Sequence, residues 1–349
     1  MPYQNVGTPR FYVNTMEFLL ENGHVPDVQQ IQMVDPWETW IVGSAHSPLF
    51  KTIPTYGDNL NYKGFYFSNL ASGMTGDNCF VAILGHKLYG VDPAGLDEPT
   101  ERHFSLHENN TNTNPIASPY VDIVNAGTSG DIVPGYDGFS ILTFSYTNTN
   151  NTLHIYISGN AVGQSLIFGT YYDMPNAPNL SLTMSREYGG TKEFTTYNGS
   201  SISNTMWSKP PMWGDLGAWE LYSSGNAPQS LTKSGRRSWQ LKFSYMDDGD
   251  LWGSNQMLTR IREDATDGTD SGDAVNQTLF NYNLLTDPNF FSQVWHKTLG
   301  GTLPFIFQPD SSNNNPDQFA ICKFKDNSLK ATQSSFNTYD ISLSIEEVW

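Results

Sequence analysis

YDISLSIEEVW, Tyr339 to Trp349, is the stretch that decides the fold class. Tyr339, Ile341, Leu343 and Ile345 alternate with Asp340, Ser342, Ser344 and Glu346. Period two marks a strand with one buried face. The alternation fails at Glu347, where Val348 and Trp349 change register. RRSWQLKFSYM, Arg236 to Met246, has the same form, with Trp239, Leu241, Phe243 and Tyr245 expected on one face. A terminus of this kind is expected to be tied into a sheet rather than frayed.

The chain has 349 residues, and a length of that order points to two domains, since domains cluster near roughly 100–200 residues. Hydrophobic residues make up 38% and aromatics 13%, enough for a core, while charged residues are only 15%. The surface must then be built from Asn, Ser, Thr, Gly and Tyr, which suits short strands and long turns. Formal net charge is −17. The largest local basic group is Lys233, Arg236 and Arg237, too small to neutralise a phosphate backbone. Specific nucleic-acid binding is therefore not expected. Two cysteines, Cys79 and Cys322, lie in apolar runs and are expected to be buried free thiols. No apolar window reaches membrane-span length, and no signal peptide is expected. Synthesis and folding in a cytoplasm follow as expectations.

The chain divides into three parts. Residues 1–35 read as an arm, in which Phe11–Val13 and Met16–Leu20 are a short hairpin or a turn and a half of helix. Residues 36–168 read as an all-β unit. CFVAILG (Cys79–Gly85) is apolar throughout and is expected to be buried on both faces. FSILTFSY (Phe139–Tyr146) and TLHIYIS (Thr152–Ser158) flank an Asn/Thr turn and predict a hairpin. Short strands with Gly-, Asn- and Pro-rich loops predict a sandwich or jelly roll. Residues 169–349 form the second unit. There SLTMSREY (Ser181–Tyr188) and KEFTTY (Lys192–Tyr197), joined by Gly189-Gly190-Thr191, predict another hairpin. One helix is expected at residues 287–299, with Asp287 as N-cap, Pro288 at N1 and Gly300 at C′. Its stripe of Phe290, Phe291, Val294, Trp295 and Leu299 should pack on a sheet.

The candidate chemistry is thin. His103 and His107 form H-x3-H, a metal-binding spacing on a helix, but their Pro- and Asn-rich surroundings read as a loop. Asp264, Asp267, Asp270 and Asp273 could offer oxygen ligands to Ca²⁺, yet their spacing is not that of an EF-hand. Asp247, Asp248 and Asp250 include the carboxylates a glycoside hydrolase would need, although acidic residues at a β-turn are far commoner. Neither a catalytic residue, a cofactor nor a metal is expected. Trp207, Trp213 and Trp219 recur every six residues among prolines. They are candidates for subunit contact, alongside a structural anchor or a sugar platform.

Several stretches together resemble a known family. CFVAILGHKL (Cys79–Leu88) and SLIFGTYYDMPNAPNLSLTMS (Ser165–Ser185) resemble a galactose-binding-like jelly roll. RRSWQLKFSYMDDGDLW (Arg236–Trp252), GGTLPFIFQPD (Gly300–Asp310) and ISLSIEEVW (Ile341–Trp349) resemble the C-terminal part of minor tail and distal-tail proteins of tailed bacteriophages. The resemblance spans most of residues 79–349. It implies two β-sandwich domains, a jelly roll at 36–168 and a tail-tube-like sandwich at 169–349 with the helix packed on it. It also implies a non-enzymatic structural protein of the virion, in a ring at the tail tip or baseplate. Its partners would be further copies of itself and neighbouring tail tube or baseplate proteins. His86 is expected to bond locally. Three alternatives remain, a module binding host glycan, a glycan depolymerase and a capsid decoration protein. Glu346, Glu347 and Trp349 are expected where a sheet edge meets a neighbouring subunit.

Overall fold

The computed structural model describes residues 6–22, 27–31, 62–68, 76–86, 104–107, 122–124, 138–146, 153–158, 165–180, 183–187, 191–205, 212–213, 216–217, 236–252, 284–314 and 318–348. In chain order the elements are β1 (Arg10–Val13), α1 (Thr15–Glu21), β2 (Asp27–Ile31), β3 (Tyr62–Ser68), β4 (Gly76–His86), β5 (Phe104–His107) and β6 (Asp122–Val124). They continue as β7 (Gly138–Tyr146), β8 (Leu153–Ser158), β9 (Ser165–Asp173), β10 (Thr183–Glu187), β11 (Thr191–Thr195), β12 (Ser201–Thr205), β13 (Met212–Trp213) and β14 (Leu216–Gly217). The C-terminal part holds β15 (Arg236–Asp247), α2 (Asp248–Leu251), a π-helix (Phe291–His296), β16 (Phe305–Gln308), β17 (Ala320–Phe324), β18 (Ala331–Ser335) and β19 (Thr338–Glu347).

The protein is mainly β. Its main feature is an 11-stranded antiparallel sheet in the order β10-β15-β19-β17-β16-β1-β9-β4-β7-β6, with β18 also on β19. A separate four-stranded sheet runs β2-β3-β8-β5. β1, from the segment read as an arm, is a central strand between β16 and β9. The boundary expected at 168/169 falls inside β9, which lies between β1 and β4.

The terminal strand has the alternation its sequence prescribes. Tyr339, Ile341, Leu343 and Ile345 are buried, and the pattern continues to put Glu347 inside. On β15 the expected face is corrected at one residue. Ser244 and Tyr245 together oppose only Asp340, between the pairs Phe243↔Ile341 and Met246↔Tyr339. This β-bulge turns Tyr245 outward, at φ +60°, and brings Met246 into the core instead. The Asp340 carboxylate accepts the Tyr245 backbone N–H at 3.2 Å and holds the bulge.

Both hairpins expected from neighbouring strands are also corrected. β7 pairs with β4 and β6 in the large sheet, while β8 pairs with β3 and β5 in the small one. β10 pairs with β15, while β11 pairs with β12 across Asn198-Gly199. Gly199 takes φ +78°, which glycine adopts without steric cost, and donates to the Thr196 carbonyl at 2.8 Å.

Among the described residues, apolar clusters cover both faces of the large sheet. On one face the π-helix lies over β1, β15, β16, β17 and β19. Its aromatic centre includes Phe305 against Phe324 at 4.7 Å between ring centroids, Trp295 against Phe324 at 5.0 Å and Trp239 against Phe307 at 5.3 Å. Each buried ring contributes about 2–3 kcal/mol by area, plus edge-to-face terms. On the other face Tyr12, Phe80, Ile141, Ile167, Ile306, Phe319 and Ile321 form the second cluster. β4 is buried on both faces from Cys79 to Leu84, as its unbroken apolar run requires. Cys79 and Cys322 are buried free thiols.

The helix expected at 287–299 begins later and is wound more loosely. Asn289, not Asp287, caps it, its Oδ1 accepting the Ser292 N–H at 2.9 Å. Gly300 N–H donates to the Trp295 carbonyl at 2.9 Å, a five-residue step. Gly300 then reverses the chain at φ +65°, after Leu299 at +51°.

Candidate assembly surface

β10, Thr-Met-Ser-Arg-Glu, is an edge of the large sheet. Its inner side pairs with β15 from Thr183↔Gln240 to Glu187↔Arg236. Among the described residues no strand pairs with its outer side. Thr183 to Arg186 are exposed, including the apolar Met184, and Leu180 just before the strand is more exposed still. A row of open backbone N–H and C=O groups is a template for a further strand.

After three intervening residues, β10 is followed by the β11–β12 hairpin. Its register sets Phe194 opposite Ile202, and both side chains are more than half exposed, at 57% and 55%. Tyr197 at the tip is fully exposed. Directly opposed residues share a face, so Phe194 and Ile202 form an apolar patch on a two-stranded ribbon. Such a ribbon is marginal in water without a third strand or a packed face. These residues were not among the candidates the sequence suggested. The signal was the Asn-Gly pair at 198–199 between alternating stretches.

The candidates drawn from sequence fall differently. Trp207, Trp219 and Trp349 lie outside the described residues, and Trp213 is placed by its backbone in β13, opposite Leu216. Glu346 is half-buried on β19, opposite Ser238 on one side and Lys323 on the other. β19 is flanked by β15 and β17, so the C-terminal strand is interior to the sheet. For Glu347 the expected subunit contact is corrected. Its carboxylate is buried and accepts from the Arg237 backbone N–H at 2.8 Å, from Nε at 3.2 Å and from Nη2 at 3.1 Å. Arg237 Nη2 also donates to the Phe319 carbonyl at 2.6 Å, and its guanidinium lies 5.4 Å from the Trp239 ring centroid. The register break in the sequence is thus an ion pair within the chain.

The acidic turn has a structural account. Asp247 caps α2, its Oδ1 accepting the Gly249 N–H at 3.0 Å. Asp248 is buried, and burial raises its pKa, as it does that of Asp250. The Asp250 carbonyl accepts the Tyr172 hydroxyl at 3.2 Å. His103 and Asp264–Asp273 lie outside the described residues, and His107 ends β5, a strand where a loop was expected. Of His86 only the backbone is placed, at the end of β4. Among the described residues no group of three or more His, Cys, Asp or Glu side chains could hold a metal. No described helix is long and apolar enough to cross a membrane.

Beneath the π-helix sits a buried polar group. Lys297 Nζ donates to Gln293 Oε1 at 2.7 Å and Thr170 Oγ1 at 3.2 Å, and Thr170 Oγ1 lies 3.0 Å from Thr15 Oγ1. Burial pushes the Lys297 amine down to about 7. On α1, burial and the Glu21 charge push the Glu17 carboxyl up to about 8, against the hydrogen bond from Asn14. Lys297 fastens the end of the π-helix to β9, while Glu17 and Asn14 cap the start of α1 reciprocally.

This chain matches no family model, no curated protein and no solved structure.

Proposed function

We propose that this chain is a non-enzymatic structural protein of a tailed-phage virion, forming or attached to a ring at the tail tip or baseplate. The observation that carries the proposal is β10, which among the described residues ends a large antiparallel sheet with β15 as its one paired strand. An exposed edge belonging to a well-packed sheet is suited to strand addition between subunits. The stretches that carry the sequence resemblance support it too. β15 and β19 are neighbours in one sheet, β16 lies two strands from β19, and the π-helix covers their common face. In this reading β10, β15, β19, β17 and β16 with the π-helix are the tail-tube-like unit, β4, β6 and β7 of residues 36–168 extend the same sheet, and a host-glycan surface would lie in that region.

Charge gives the proposal a physical use. With net charge −17, copies lining a tail lumen would repel the DNA backbone and let the genome pass without sticking. Mass spectrometry of gradient-purified virions from the encoding phage tests the reading. Peptides of this chain should appear in particles and in isolated tails; their absence from both overturns it.

A further inference from the structure

We infer that the β11–β12 hairpin of one copy docks on the open β10 edge of a second copy, in a head-to-tail contact. This deepens the ring proposed above and rests on it for the ring's place in the virion. The two surfaces are separate features of one chain: an apolar ribbon carrying Phe194, Ile202 and Tyr197, and an edge strand that carries exposed Met184 and is preceded by exposed Leu180.

Charge fits another copy as the occupant. The chain carries net charge −17, so most of its surface repels a second copy. The hairpin does not, because within Thr191–Thr205 Lys192 and Glu193 cancel and no other charged side chain is present. On β10 Arg186 and Glu187 cancel in the same way. A basic partner would be drawn to the acidic remainder of the surface. A neutral, half-apolar ribbon and a neutral edge are where two acidic copies can meet with least repulsion.

Backbone chemistry fits the same occupant. Among the described residues β10 pairs only with β15, and β11 and β12 pair only with each other, so each has a side on which a further strand could add. Adding the ribbon to the edge joins these sides and covers Phe194 and Ile202. Donor and acceptor surfaces differ, so the contact is heterologous and propagates until the rotation closes a ring.

The test uses the full chain, with Met184→Cys in one preparation and Ile202→Cys in another, mixed and treated with a short bis-maleimide. The native thiols are buried, so the parent chain serves as background. A crosslinked dimer in the mixture, and a ladder from the double variant, are expected. Absence of an interchain product overturns the inference, and so does a double variant crosslinked only within single chains, which would mean the hairpin closes its own β10. Phe194→Asp with Ile202→Asp should weaken self-association by at least about tenfold while leaving the thermal unfolding midpoint unchanged. Unaltered self-association in that variant also overturns it. Virions that contain the chain while it fails to crosslink would refute this surface and leave the virion role standing; the reverse result would refute the role alone.

Discussion

Glu347 is held inside the protein by one guanidinium, and that pair joins three strands. Arg237 stands on β15 and Glu347 on β19, and the carbonyl that completes the arrangement belongs to Phe319, just before β17. Both side chains are almost wholly buried, at 9% and 6% exposure. Removing one partner of such a pair leaves a buried charge uncompensated and costs roughly 3–5 kcal/mol. Arg237→Met should therefore lower stability by about 3 kcal/mol or more in urea unfolding. Arg237→Met combined with Glu347→Leu should recover much of the loss, because no buried charge is then left alone. A double variant as unstable as the sum of the single ones would refute the pairing. Two other buried groups predict an unusual pH dependence. Glu17 is protonated in the fold up to about 8 but ionises near 4.5 when unfolded, so it makes stability fall as pH rises between those values. Lys297 is neutral in the fold above about 7 but protonated up to about 10.5 when unfolded, so it makes stability rise across that window. Glu17→Gln should flatten the fall on the acidic side, and Lys297→Met the rise on the alkaline side, in denaturation series across pH. The sequence marked position 347 only as a break in alternation. A carboxylate in an inward position becomes interpretable once its partner, about a hundred residues earlier, is known.

Among the elements, β15 and β19 were the most legible. Each has one face under the π-helix and the other toward solvent, so the physics that buries alternate residues is written directly in the sequence. The bulge at Ser244 and Tyr245 was not legible, since Tyr is as suited to the core as Met246 and only the count of residues on β19 decides between them. The hairpins failed for a related reason. β7 and β8 are adjacent in sequence and separated by turn residues, yet each pairs in a different sheet; β7 is packed between β4 and β6, where apolar side chains on both faces are satisfied. Sequence proximity favours pairing, but a strand buried on both faces has stronger claims elsewhere. Close approach of β9 and β1 gives a sharp test at this scale. A Cβ at Gly169 would sit 1.9 Å from the Val13 carbonyl oxygen and 2.7 Å from the Thr15 nitrogen, both backbone atoms. Gly169→Ala should cost about 3 kcal/mol or more and yield little soluble protein; wild-type solubility and melting would refute the strand contact. Deleting Ser344–Trp349 removes much of a strand that lies between β15 and β17, so the truncated chain should not fold. A truncated chain with native circular dichroism and melting would contradict that placement.

At the scale of the whole molecule, the large sheet turns a three-part sequence into a shared core. The segment read as an arm supplies a central strand, β1, which joins β16 of the later region to β9 and, beyond it, β4 of the earlier one. Composition had no means of showing this, because long-range pairing between residue 11 and residue 307 leaves no local mark. The opposite is true of charge, which is a property of the sum. In the proposed assembly, an excess of −17 makes a neutral hairpin and a neutral edge the contacts of least repulsion between copies. The account also expects no glycan cleavage: purified protein with host envelope polysaccharide should release no reducing sugar, and Asp250→Asn should be indistinguishable from the parent chain. Sugar release lost in that variant would replace a structural role by an enzymatic one. The most direct measurement is electron microscopy of intact virions with gold-labelled antibody against this chain. The account predicts label confined to the tail tip or baseplate, with class averages of that region showing rotational symmetry; label on the capsid, or none on any particle, would contradict it.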